Sequence, residues 1–206
     1  MTDQIRLVLA SASDARLRTL RDAGLNPEVV VSGVDEGSES SDGVSERTAQ
    51  LARLKAEAVS ARIDLGPDPT VVIGCDSLLE LDGVACGKPK TPTAAVRRWQ
   101  QLRGRAGLLH TGHHVILHNG TEVATSAAVA STVVHFAEIT DAEIDAYVAS
   151  NEPLYVAGGF TIDGLGGPFI TRIEGDHHNV VGLSLPLLRT MLRELGIWWP
   201  NLWRSS

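Results

Sequence analysis

The chain has 206 residues, 43% of them hydrophobic, and a formal net charge of −7. That is enough apolar material for a substantial core, as one domain or two closely joined lobes. The charge argues against a basic nucleic-acid-binding stripe but not against a nucleotide ligand, which needs only a few cations focused in one cleft.

No apolar run approaches the ~20 residues of a membrane span. Met1 to Arg6 lacks the cation-then-apolar layout of a signal peptide. A cytoplasmic protein without membrane or nucleic-acid partners is the expectation. Cys75 and Cys86 lie in different predicted elements and form no C-x-x-C pair, so they read as small buried residues, not a redox or metal motif.

In chain order, Ile5 to Ala10 is an apolar run that predicts a buried strand. Ser13 can cap a following helix, Asp14 to Ala23, closed by Gly24. Glu28 to Ser32 reads as a second strand, and residues 35–43 as an acidic loop. Val44 to Arg62 has helical spacing, with Val44, Leu51, Leu54 and Ala58 on one side. Thr70 to Cys75 reads as a core strand with Asp76 at its end. Leu78–Leu81 and Val84–Cys86 flank Asp82-Gly83, a hairpin signal. Thr91 caps a helix with Pro92 in its first turn and Gly104 at its close. Two long β stretches follow, separated by a second hairpin signal, Asn119-Gly120. Thr140 and Glu143 form a capping box. Residues 158–167 are glycine-dense and precede a strand, Phe169 to Ile173. A loop holding His177, His178 and Asn179 leads to a last helix from about Ser184 to Leu195. The aromatic tail, Trp198 to Trp203, reads as a cover for a core edge or a partner chain. Early helix–strand alternation followed by hairpins predicts an α/β protein with a mixed sheet.

Four segments bordering strands carry chemistry. A strand feeding Ser11 and Ser13 and then a helix puts free backbone N–H groups and hydroxyls at one spot, as phosphate sites do, with Arg16 able to reach the same anion. An ordinary N-capped turn explains the same residues. Asp76 after an apolar run is costly to bury unless it is paired or on a metal, although a turn aspartate bonded to backbone amides is the plain alternative. Together with Glu36 it would make a hard-metal site of the magnesium type. Lys55 borders the apolar face of its helix, where a lysine stem commonly covers the core edge. Lys88, held extended by Pro89, suits a fixed phosphate contact.

Other patterns fail. Gly83 to Lys88 is one residue short of a P-loop, and Gly164 to Gly167 lacks the strand–helix context of a dinucleotide fingerprint. The adjacent pairs His113-His114 and His177-His178 would point to opposite sides in extended structure, so neither chelates one zinc easily.

Taken in order, the segments resemble the Maf family of nucleoside triphosphate pyrophosphatases, nearly end to end. The family opening LASxSPRR is matched by Leu9-Ala10-Ser11-Ala12-Ser13-Asp14-Ala15-Arg16, its V-D-E by Val34-Asp35-Glu36 and its L-A-x-x-K-A by Leu51 to Ala56. Its G-A-D-T is matched by Gly74-Cys75-Asp76-Ser77, its G-K-P by Gly87-Lys88-Pro89 and its glycine-rich segment by Ala157 to Gly164. The resemblance implies an α/β fold of two lobes in a single unit over residues 1–206, with a long twisted mixed β-sheet flanked by helices, a central cleft and a possible homodimer. It implies hydrolysis of a nucleoside triphosphate to monophosphate and pyrophosphate with Mg²⁺ or Mn²⁺, a link to noncanonical nucleotides, and an association with restraint of cell division. Asp76 would be catalytic, with Glu36 and Asp76 on the metal and Ser11, Ser13, Arg16, Lys55 and Lys88 on the phosphates.

The departures concern base choice. Where family members that resemble dTTP/UTP enzymes hold Arg, Thr and Gln, this chain holds Ala15, Ser77 and Asp163. An ionised aspartate only accepts hydrogen bonds, whereas glutamine also donates. The expectation is a pocket that tolerates or prefers bases with N–H donors, such as guanine or cytosine, or else one from which Asp163 turns away. Rival readings are a nucleotide-binding regulator without turnover and a phosphatase that strips only the terminal phosphate.

Overall fold

The computed structural model describes residues 5–35 and 43–203. Seven strands form one mixed sheet, in the order β2-β1-β3-β5-β6-β7 with β4 hydrogen-bonded to β3. They are β1 (Arg6–Leu9), β2 (Glu28–Val29), β3 (Thr70–Leu81), β4 (Val84–Cys86), β5 (Ala106–Asn119), β6 (Glu122–Phe136) and β7 (Ile170–Glu174). The helices are α1 (Asp14–Asp22), α2 (Val44–Ser60), α3 (Pro92–Leu102), α4 (Asp141–Ala149), α5 (His177–Val181) and α6 (Leu185–Glu194). β1 runs parallel to β2 and β3, and the remaining pairings are antiparallel. Among the described residues no helix is long and apolar enough to cross a membrane.

β3 and β5 are long enough to serve two apolar clusters on one face of the sheet, while Val72 and Ile116 join a third, with Val8, Ala10, Ala56 and Val59, on the α2 face. Val71, Ile73 and Cys75 of β3 pack with Leu9, Leu20, Leu183, Leu188 and Met191. Further along the same strand, Leu79 and Leu81 pack with Trp99, Leu109, Phe136, Ile144 and Phe160. Trp99 organises the second cluster, meeting Phe136, Tyr147 and Phe169 edge-on at centroid distances of 5.3–5.7 Å. Its indole N–H donates to the Gly159 carbonyl at 2.8 Å, which ties the glycine-rich segment to this cluster.

One strand assignment needs correction, and it matters for the site. Asp76 does not end a strand. β3 continues to Leu81, because β5 supplies an antiparallel partner at every position from Thr70 to Glu80. The segment Leu78–Leu81 is therefore the far half of β3, and its hairpin with β4 turns at Asp82-Gly83 as predicted. On its other edge β3 is paired in two separate stretches, by β1 at residues 70–73 and by β4 at residues 79–81. Asp76 and Ser77 stand between those stretches, and Ser77, on the face of Val71, Ile73, Cys75, Leu79 and Leu81, also stands between the two apolar clusters.

Smaller differences have local causes. β2 is confined to Glu28–Val29, since β1 offers it only Val8 and Leu9 as partners. The predicted loop at His177–Asn179 is helix α5, capped by the Asp176 side chain, which accepts from the His178 N–H at 3.0 Å. In the tail, Leu202 enters the first cluster as a core-edge cover should, while Trp198 and Trp203 remain exposed. The capping box of α4 is present in full.

Candidate active site

Helix α2 lies across the middle of the sheet, and two glycines let it come close. A Cβ at Gly74 would collide with the Ala52 carbonyl, and one at Gly112 with the Thr48 carbonyl. Gly112 faces Asp76 in the β3–β5 ladder. Side chains alternate along a strand, so Gly74 and Asp76 share the face toward α2. The close approach seats Lys55 directly on Asp76, Nζ to Oδ1 at 2.5 Å, with each residue only 6% exposed. Lys55 is thus a buried ion-pair partner and not a surface lysine covering the core edge. Asp76 Oδ2 accepts no hydrogen bond among the described residues.

Ser77 points to the opposite face, where a second set of buried polar groups is assembled. Arg16 reaches in from the first turn of α1 and donates from Nη2 to Ser77 Oγ at 3.0 Å, from Nη1 to Ser11 Oγ at 3.0 Å and from Nε to the Gly182 carbonyl at 2.7 Å. A guanidinium has five N–H donors, so two remain, one on each terminal nitrogen. Behind Ser77 the network continues through Thr111, whose hydroxyl lies 2.9 Å from Ser77 Oγ, to the Asn179 carbonyl at 3.3 Å. Asn179, fully buried, donates to Thr132 at 3.0 Å and to the Leu109 carbonyl at 3.2 Å. Such a network fixes the guanidinium before any ligand arrives.

The two faces meet at the unpaired edge of β3. Cys75, between them, is fully buried; desolvation pushes its thiol up to about 11, and the charges of Arg16, Lys55 and Asp76 all reach it. The thiol is therefore neutral and inert, as the cysteine reading anticipated. Ser13 caps α1 by accepting from the Arg16 N–H at 3.4 Å, and Ser11 accepts from the Ser13 N–H at 3.2 Å. Both hydroxyls thus shape the turn. Lys88 is exposed just past β4. The β4 register, continued beyond the Leu79–Cys86 pair, carries it level with Ser77. Glu36 lies outside the described residues, so its expected convergence with Asp76 is not part of this geometry.

Among the described residues no group of three or more metal-type side chains converges. One carboxylate with an open oxygen does suit a magnesium-like ion, which commonly takes one or two protein carboxylates and fills its shell with substrate phosphates and water.

Beside the Arg16 network lies a cleft of about 460 Å³, lined by Ala15, Arg18, Asp163, His177, His178 and Val181 among others. Ala15 and Asp163, predicted together from different parts of the chain, do face one space. Ser77 does not line it, its hydroxyl being engaged by Arg16 and Thr111. Arg18, Thr111, Thr132 and the ring positions of His177 and His178 were not anticipated. Of these, only the run that begins at Asp176, with His177–Asn179 predicted as a loop, carried a local signal, its capping aspartate.

Fold and site together define an α/β protein with a preassembled cationic pocket beside a buried carboxylate. The chain belongs to the Maf-like protein family, whose family model matches residues 6–195. A relative from Salinispora tropica is 56% identical, the match covering 97% of this chain and 88% of that protein. One from Streptomyces coelicolor is 55% identical over 98% of this chain and 96% of that protein, and one from Cutibacterium acnes 52% identical over 96% and 94%. All three are named nucleoside triphosphate pyrophosphatase. The solved structure of the Staphylococcus aureus Ham1 protein aligns with a TM-score of 0.46 at 16% identity, covering 92% of this chain and 99% of that one, and no role is transferred from it.

Proposed function

We propose that this protein is a nucleoside triphosphate pyrophosphatase, cleaving its substrate to a nucleoside monophosphate and pyrophosphate. The observation that carries the reading is the buried Lys55–Asp76 pair at the open edge of β3, next to a guanidinium with two donors to spare. The names borne by relatives at 52–56% identity over nearly the whole chain support it.

In the reaction, a water oxygen bonds to the α-phosphorus, the bond from that phosphorus to the bridging oxygen breaks, and pyrophosphate leaves with the electron pair. Asp76 has an oxygen open to accept the water's proton. As negative charge grows on the leaving group, the ammonium of Lys55 and the remaining donors of Arg16, both held in place beforehand, stabilise it, joined by the side chain of Lys88. Ser11 and Ser13 hold the turn that aims Arg16. A divalent cation, Mg²⁺ or Mn²⁺, would be held by Asp76, with Glu36 as the candidate second carboxylate, and would neutralise charge on the polyphosphate. Noncanonical nucleotides fit as substrates in this reading, and so does a cytoplasmic setting, where free nucleoside triphosphates are drawn from.

The test is product identification over a nucleotide panel, standard and modified, with and without Mg²⁺ or Mn²⁺. Monophosphate plus pyrophosphate is expected, and Asp76→Asn should lower the rate ~10²-fold or more while nucleotide still binds. Diphosphate plus phosphate as products, or full activity in Asp76→Asn, overturns the reading.

A further inference from the structure

Covering a core edge accounts for only part of the aromatic tail. Ile197 and Leu202, both buried, and the half-buried Trp199 do the covering, packed on the cluster that holds Leu188 and Met191. Trp198 and Trp203 stay 67% and 55% exposed. Single exposed apolar side chains are ordinary, but two indoles on one groove form a patch of the kind that marks a binding site. Both rings are held in place. The short 3₁₀ turn Trp199–Leu202 fixes the chain between them, and Trp203 lies against α1 at Gly24, where an added Cβ would come within 3.0 Å of its ring.

Helix α6 supplies the charge. It buries Leu188, Met191 and Leu192 and turns Arg189 and Arg193, one helical turn apart, outward. Neither guanidinium has a hydrogen bond or ion pair among the described residues. The neighbouring Glu194 is engaged elsewhere, accepting from the Ser126 hydroxyl on β6 at 3.2 Å. The two arginines, Trp198, Pro200 and Trp203 line a groove of about 240 Å³, and no acidic side chain lines it. In a chain of net charge −7 this is a local excess of two positive charges. The groove is separate from the cleft beside Arg16. Leu185 lines that cleft at the start of α6, whereas Arg193 lines the groove near its end, about 12 Å further along the helix axis.

Two unpaired guanidiniums match a dianion. A carboxylate brings one negative charge; a phosphate monoester brings nearly two at neutral pH, on oxygens that a guanidinium can take bidentately. The exposed indole faces match a flat ring, and stacking on an aromatic side chain tolerates any base. We propose that the groove between α6 and the tail is a second nucleotide site, binding a nucleoside monophosphate with its phosphate on Arg189 and Arg193 and its base against the indoles. Apart from the guanidiniums and the indole N–H groups no polar side chain lines the groove, so the four common bases should bind alike. The ligand is of the product class of the reaction proposed above, but the assignment rests on the groove and not on turnover.

The experiment is calorimetric titration with AMP, CMP, GMP and UMP, with adenosine and inorganic phosphate as half-ligands. The protein is the wild type, the double variant Arg189→Ala with Arg193→Ala, and the double variant Trp198→Ala with Trp203→Ala. Each double variant should lose one binding event or weaken it by roughly 10-fold or more. The arginine variant should keep the wild-type Tm and rate of pyrophosphate release, because its altered side chains are exposed and without partners among the described residues. Adenosine and phosphate should each bind at least about 10-fold more weakly than AMP, since each fills half of the site. Isotherms that coincide in the wild type and the arginine variant overturn the proposal, and so does phosphate binding as tightly as AMP. If no protein releases pyrophosphate, the pyrophosphatase reading fails, and the isotherms still decide the groove.

Discussion

Replacing Lys55 by methionine would leave Asp76 as a buried carboxylate without its only hydrogen-bond partner among the described residues. Breaking a buried pair from one side typically costs about 3–5 kcal/mol, because the surviving charge is stranded in a medium that cannot solvate it. For a chain of this size each kcal/mol lowers Tm by about 2–4 °C, so Lys55→Met should fall by roughly 6–20 °C. Methionine matches the length of the lysine stem, which separates the charge from the packing. A second arm isolates the pair. In a double variant with Asp76→Leu no charge is left behind, and replacing both partners by apolar groups is often neutral or stabilising. The double variant should therefore recover much of the lost Tm while remaining inactive. Calorimetry on the wild type, both single variants and the double variant measures the coupling directly. A drop under about 2 °C for Lys55→Met, or a double variant less stable than both singles, would falsify the claim that this pair is desolvated, and with it the idea that it is held ready for a ligand.

Two further outcomes follow from the buried surroundings of the site. His113 donates from Nδ1 to the Thr111 carbonyl at 3.0 Å and accepts from the Ser184 N–H at 2.9 Å, and its burial pushes the imidazole from 6.5 down to about 4. Between those values the unfolded chain binds a proton that the folded chain refuses, so stability falls as pH drops from 6.5 toward 4, by on the order of 3 kcal/mol. Tm measured across that window should show this slope, and in His113→Gln the slope should flatten; an identical slope in the variant assigns the effect elsewhere. Gly112→Ala would drive a methyl into the Thr48 carbonyl of α2. Overpacking of this kind costs about 1–3 kcal/mol, and the shift of α2 should move Lys55 off Asp76, so Tm and pyrophosphate release should both fall. A Gly112→Ala protein with wild-type values of both would show that the helix is not held at this contact.

What could be read from the chain and what could not divide along one physical line. Ser13 on α1, Thr91 on α3 and Thr140 with Glu143 on α4 are satisfied by neighbours three residues away, and each cap was legible. The turn at Asp82-Gly83 was legible because backbone geometry limits which residues fit there. The second hairpin was legible too, but its two-residue loop is Gly120-Thr121, with Asn119 still paired to Glu122. The middle of β3 was not. Gly74 and Asp76 interrupt the apolar run, and only the partner strand β5, more than thirty residues away, keeps the segment extended through Ser77 and Leu78. The network from Ser11 through Arg16, Ser77 and Thr111 to Asn179 is likewise built from contacts spanning 5 to 166 residues of chain, and no local pattern records them.

The same reasoning explains why the site lies where it does. β1 contributes four residues to one edge of β3, and β4 covers only Leu79 to Leu81. Between them a stretch of backbone is left without a strand partner, and its outward-facing positions are the ones a ligand can approach. Asp76 faces one side of that gap and Ser77 the other, so a single dipeptide supplies both the carboxylate that Lys55 neutralises and the hydroxyl that orients Arg16. Of the two, only Ser77 shares its face with Val71, Ile73, Cys75, Leu79 and Leu81, so its hydroxyl is the polar position of β3 between those two clusters. Asp76 lies on the α2 face, beyond the apolar group formed by Val72, Ala56 and Val59, and one long strand fixes both residues relative to each other.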